Sequence, residues 1–163
     1  MNEPRESVLV GQDGRERTGG LKDALRAYFS SEDLRPAGLV AAYMFGSHAR
    51  GRAHRESDLD VAVLLTHEVY RAMSAPGEFR VRLISDLIAA THENSIDLVL
   101  MNQAPPPLNK AILDEGVALV VIDPEQLASF RTMSLSRTAE LRPWLDRYRR
   151  ERMRALAGEG ARP

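Results

Sequence analysis

Gly46 and Ser47 close a hydrophobic run, and ten residues separate Ser47 from Asp58, which is followed by Leu59 and Asp60. A Gly-Ser turn leaving a strand can wrap backbone N–H groups and a hydroxyl around phosphate oxygens. Aspartates at i and i+2 of a strand project from one face, their Cα atoms roughly 6.5 Å apart. Carboxylates so placed can share Mg²⁺, a hard cation that takes oxygen ligands and is usually completed by substrate phosphates. Asp60 stands inside the apolar run LDVAVLL, where unpaired carboxylates are costly to bury, so a cation is expected beside the pair. Asp97 opens another apolar run, IDLVLM, and an adjacent strand would bring it within several Å of the other two. Acids at the ends of neighbouring strands suit a Mg²⁺ cluster for two-metal phosphoryl or nucleotidyl transfer. With one element for phosphates and another for metal, the set reads as a nucleotide-handling site.

Arg50 and Arg52 follow the Gly-Ser turn closely enough to fork onto phosphate oxygens, although an ordinary solvated arginine has the same local signature. His48 and His54 are assigned no role, since isolated histidines are more often surface residues than ligands. Lys110 falls on a helix after the Asp97 strand and is a weaker nucleotide contact. The segment Arg142 to Arg154 holds six arginines with Trp144, Tyr148 and Met153 among them. Such a helix can bind nucleic acid through phosphates and stacking. Asp146 and Glu151 interrupt the positive run, so nucleic acid is not the expected partner. A solvated face with Leu141, Leu145 and Tyr148 packed, or a docking helix for a protein, fits better.

These residues need elements to hold them. Residues 1–20 read as a flexible N-terminal arm, broken by Gly11, Gly14 and the Gly19-Gly20 pair. Leu21, Leu25, Tyr28 and Phe29 recur at helical spacing and predict an amphipathic helix over about 21–33, ended by Pro36. Gly38–Phe45 is a buried-type strand, followed by a short helix or loop over Ala49–Arg55. Leu59–Leu65 is a second strand. Pro76–Thr91 is a helix with Phe79, Leu83, Leu87 and Ile88 on one side, and Ile96–Met101 a third strand. Pro105–Glu115 starts in prolines and stops at Gly116, as a helix would. Val117–Ile122 is a fourth strand, and from Pro124 the chain reads as helix, fraying over Gly158–Pro163. The expected fold class is α/β: a mixed sheet of about four strands flanked by helices, with a C-terminal helical tail. Residues 21–125 form the expected catalytic domain and 126–163 the extension.

The 163 residues suffice for one domain with a sizeable core. Formal net charge is −1, so no global basicity points to nucleic acid. There is no cysteine, which excludes disulfides, thiolate metal sites and thiol catalysis and fits a cytoplasmic location. Neither a signal-peptide core nor a run of transmembrane length occurs, and no membrane partner is expected.

The string GSHARGRAHRESDLDVAVLL carries a family resemblance. Gly46-Ser47, ten residues, then Asp58-Leu59-Asp60 resembles the G-S-x10-D-x-D signature of the DNA polymerase β-type nucleotidyltransferase superfamily, and the whole string is similar to its minimal nucleotidyltransferase (MNT) branch. The resemblance spans about residues 37–125. It implies that Gly46 and Ser47 bind the β- and γ-phosphates of a nucleoside triphosphate, with ATP as the family's usual choice. It further implies that Asp58 and Asp60 hold Mg²⁺, and that Asp97 completes the second metal site and helps deprotonate an acceptor hydroxyl. MNT proteins of this kind are often antitoxins paired with a HEPN-domain ribonuclease toxin, which implies adenylylation of a tyrosine on that partner. Two alternatives stand beside this: a small-molecule (aminoglycoside-type) nucleotidyltransferase, and an antitoxin that neutralises its partner by contact without catalysis.

Overall fold

The structure, a computed structural model, describes residues 13–54 and 56–159. In chain order the elements are α1 (Asp13–Ser30), β1 (Leu39–Phe45), α2 (Gly46–Ala49), β2 (Leu59–Leu65), α3 (His67–Ala72), α4 (Pro76–Thr91), β3 (Ile96–Leu100), α5 (Pro106–Glu115), β4 (Val117–Val121) and α6 (Pro124–Glu159). The strands form one mixed sheet in the order β3-β2-β1-β4. β1 runs antiparallel to both β2 and β4, while β2 and β3 are parallel. This is the expected α/β arrangement.

Burial explains why the central strands are almost wholly apolar: both faces of the sheet are covered. On one face Ala42 and Met44 of β1 and Val61, Val63 and Leu65 of β2 pack with Leu25 and Phe29 of α1 and Leu83 and Leu87 of α4. On the other, Ala41, Tyr43, Ala62 and Leu64 meet Ile112 and Leu113 of α5, with Leu127 and Phe130 of α6 against them. Side chains alternate along β2, so Asp60 shares the α5 face with Ala62 and Leu64. Only the end of that strand is left open enough to carry a carboxylate.

α1 corrects the expected boundary of the N-terminal arm. Residues 13–20 belong to the helix, which passes through Gly19 and Gly20 rather than breaking there; residues 1–12 lie outside the described residues. Each glycine costs about 1 kcal/mol in a helix interior. Anchors on either side offset this: Arg17 pairs with Glu93 after α4, Thr18 reaches His48, and Leu21 and Leu25 are buried. α3 was not evident in the sequence. Thr66 starts it by accepting a hydrogen bond from the Val69 amide at 3.3 Å.

Gly38 fixes the entry to β1. Its φ is +68°, and a Cβ there would lie 2.5 Å from Val69 Cγ2 and 2.8 Å from Val69 Cβ. The Gly38 carbonyl also accepts from the Thr66 amide at 2.8 Å, tying the start of β1 to the end of β2. Gly38→Ala combines left-handed strain with a clash against packed atoms, so it should destabilise by about 2–4 kcal/mol. Chemical denaturation measures this as a lower midpoint at unchanged slope.

Candidate functional site

Asp60 sits at the register position shared by three strands. Its Cα partners are Phe45 on β1 and Asp97 on β3. Adjacent strands lie about 4.8 Å apart, so the register places the Asp60 and Asp97 backbones side by side. Asp58 precedes β2 by one residue, where Leu59 is completely buried and both neighbouring aspartates are not. The sheet thus gathers acids from two strands at one end, as the sequence spacing led one to expect.

Gly46 and Ser47 open α2, a four-residue helix directly continuing β1. Gly46 has φ +69°, and a Cβ on it would lie 1.9 Å from Asp60 Oδ2. The backbone therefore approaches the carboxylate as closely as only glycine allows. The first amides of a helix have no intrahelical acceptor and remain available to an anion. Gly46, Ser47, Arg50, Asp58 and Asp60 line one cavity of about 560 Å³, whose remaining wall comes from Phe45, Glu56, Ser57 and the α5 residues Leu108, Ala111, Ile112 and Glu115.

Three of the expected residues have additional relationships. Arg50 is on the cavity wall and pairs with Glu115 at 3.1 Å. Asp97 points its carboxylate to Arg80 of α4, Nη2 to Oδ1 at 3.0 Å, and does not line the cavity. Arg52 is exposed and is likewise absent from the wall. Arg55 lies outside the described residues. Asp58 accepts from the Ser95 hydroxyl.

Burial, then the carboxylates of Asp97 and Asp58, push Asp60 above the ordinary carboxylate value, with His48 and Arg50 pulling the other way. That is the pattern of a partly buried acid with like charges beside it, only partly offset by nearby cations. Among the described residues, no three Asp, Glu or His side chains are assembled into a complete cation cage. Mg²⁺ needs no such cage, since one or two carboxylates plus substrate phosphates satisfy it. The hard oxygen donors of Asp58 and Asp60 fit that ion.

The sign of the Asp60 shift gives a prediction. With its folded pKa raised, the native state holds a proton that the unfolded chain has already lost. Stability therefore falls as pH rises from the ordinary value of 3.8 through the raised one, and the cost persists above it. In chelator, Asp60→Asn should melt slightly above the parent chain at pH 7, with the gap closing as pH falls toward 3.8. Equal or lower melting at pH 7 would contradict it.

The sequence pattern assigns His48 no role, and the structure gives it a place. It is 3 % exposed, one residue after Ser47. Nε2 is 3.4 Å from the Ser57 carbonyl and Nδ1 is 3.2 Å from the Thr18 hydroxyl. With Nε2 donating, Nδ1 is left to accept from Thr18. The imidazole thereby ties α2, the turn before Asp58 and α1 together. The available signal was only its position inside the signature. Lys110, the weaker nucleotide contact, pairs with Asp114 on its own helix.

The family model described as "Polymerase beta, Nucleotidyltransferase" matches residues 26–125. Solved structures share the fold. A chain from a crystal structure of a toxin–antitoxin with AMP-PNP superimposes with TM-score 0.63 at 23% identity, over 83% of this chain and 98% of that one. A chain from the tri-AMPylated Shewanella oneidensis HEPN toxin in complex with MNT antitoxin gives 0.57 at 20% identity, over 86% and 98%. One from the toxin–antitoxin MntA-HepT gives 0.56 at 20%, over 85% and 98%. No curated protein matches the chain. A match over more than half the sequence, covering Gly46-Ser47, Asp58, Asp60 and Asp97 together, places this chain in the polymerase β nucleotidyltransferase family.

Proposed function

We propose that this chain transfers AMP from ATP to a tyrosine hydroxyl on a HEPN-domain ribonuclease toxin, acting as its antitoxin. The observation that carries the nucleotidyl-transfer part is the meeting of Gly46-Ser47 with Asp58 and Asp60 around one cavity, beside Asp97. The protein acceptor is supported by the neighbouring folds, one described with AMP-PNP and another with a tri-AMPylated HEPN toxin.

In this reading the α2 amides and the Ser47 hydroxyl receive the terminal phosphates, and Arg50 adds a guanidinium on the same wall. Asp58 and Asp60 are the residues that would hold Mg²⁺, which supplies charge neutralisation on the attacking and leaving oxygens. The acceptor oxygen bonds to the α-phosphorus, the bond to the β-phosphate bridging oxygen breaks, and pyrophosphate leaves. Asp97 is the carboxylate next to Asp60 that takes part in removing the acceptor proton. The protein mainly positions charge and reactants, as phosphoryl chemistry requires.

The test is the intact mass of the protein encoded by the neighbouring gene, which this reading expects to be a HEPN protein, after incubation with this chain and MgATP. One or more added adenylyl groups are expected. A stable complex and bound MgATP with no mass gain would replace this reading with a contact antitoxin. Modification of a small-molecule hydroxyl instead would point to the aminoglycoside-type alternative.

A further inference from the structure

Among the described residues nine large hydrophobics are exposed, and five of them lie on α6: Met133, Leu135, Leu141, Tyr148 and Met153. α6 has 36 residues, about 54 Å at 1.5 Å per residue, whereas α5, against which it packs, has 10 and spans about 15 Å. Its first half uses one stripe for that packing: Leu127 and Phe130 are half-buried in the core, Ser134 is buried and Thr138 is half-buried. The same stripe continues at helical spacing through Leu141 and Tyr148, which are 39% and 48% exposed. From Ala139 to Met153 every described side chain is exposed. Leu141 and Tyr148 are thus solvent-exposed rather than packed in the core, contrary to the packed alternative; the Leu145 side chain lies outside the described ones. Pro143 stands at the start of this exposed half and has no N–H to offer the Ala139 carbonyl.

An apolar stripe that continues past its own core has a use only if something else covers it. The rim states the chemistry of that partner. Six arginines against Asp146 and Glu151 give the Arg142–Arg154 segment a formal charge of 6 − 2 = +4, in a chain whose net charge is −1. Arg147, Arg150 and Arg152 are exposed on it. We infer that the distal half of α6 is the docking arm for the acceptor protein, receiving an amphipathic helix whose apolar face is flanked by acidic side chains. This rests on the reading above that the acceptor is a protein. In this arrangement the arm supplies affinity and the cavity supplies chemistry.

The test titrates the same purified HEPN protein into the full chain by calorimetry, with no ATP present. Leu141→Glu/Tyr148→Glu should weaken binding by about 100-fold or more while the MgATP-induced rise in Tm is retained. Arg147→Glu/Arg150→Glu should slow association and flatten its salt dependence. Binding that matches the parent chain in the first double variant overturns the inference, as does failure of the parent chain to bind the HEPN protein. Two further results also overturn it: sedimentation showing a dimer of this chain that Leu141→Glu/Tyr148→Glu dissociates, and arginine-dependent binding of a uridine oligoribonucleotide in place of the protein. Because ATP is absent, binding lost in the variant but no adenylylation by the parent sinks the transfer reading alone. Adenylylation with undiminished binding in the variant sinks the arm alone.

Discussion

Asp58→Asn/Asp60→Asn is expected to lower adenylyl transfer by about 10³-fold or more while leaving the fold intact. Metal-held carboxylates contribute several kcal/mol of charge stabilisation in the transition state, and each 1.36 kcal/mol is tenfold in rate. The substituted side chains keep nearly the same volume, and Asn at position 60 removes a carboxylate whose charged form is disfavoured by burial and by the neighbouring acids. Asp58 lies exposed just outside the buried run, so its replacement does not disturb the core. Loss of activity with a preserved or slightly higher melting temperature would separate catalysis from folding. Single-turnover formation of adenylylated product is the measurement. Transfer within tenfold of the parent chain would remove both aspartates from the reaction.

Gly46→Ala is expected to damage activity through backbone geometry rather than chemistry. The new Cβ would lie 1.9 Å from Asp60 Oδ2 and 2.8 Å from Asp60 Cγ, so the carboxylate must turn away from its place. A misplacement of this size near reacting groups costs about 10²-fold in rate. The φ of +69° adds about 1–2 kcal/mol of left-handed strain. Gly51 provides the control: it has φ +65°, yet a Cβ there meets nothing within 4 Å. Gly51→Ala should therefore lose stability by a similar strain term and keep its activity. If the two alanine variants lose activity equally, contact with Asp60 is not the cause.

The rotamer-dependent partners of the acids were outside what a linear reading reveals. Asp97 was found as an acid opening a strand, but its pairing with Arg80 depends on α4 lying beside β3. Ser95 beside Asp58 follows from the parallel pairing of β2 and β3, in which the Leu59 amide also bonds to the Ser95 carbonyl at 2.9 Å. In the sequence His48 reads as an ordinary polar residue, because its burial is set by α1 and by Ser57, which are brought against it only in the fold.

Local chemistry determined a good deal by itself. Val-, Leu- and Ile-rich runs bounded by Gly and Pro are short enough to be strands, and all four are present with boundaries within one residue of those expected. Pro76 and Pro106 mark helix starts because a proline's missing N–H costs nothing there. The spacing of Gly46-Ser47 and Asp58-Leu59-Asp60 carried the site, since a strand, a turn and a strand are all it needs. Other features were decided only in three dimensions. The strand order β3-β2-β1-β4 brings Asp97 into register with Asp60, although 36 residues separate them in sequence. Gly19 and Gly20 are helical because anchors at Arg17, Thr18 and Leu21 outweigh their propensity. Where α6 stops packing is likewise not written in its periodicity, which is continuous; the short α5 and β1 beneath it end, and the apolar stripe goes on without them. Propensity acts between near neighbours, whereas burial and charge coupling act between whatever the fold brings together.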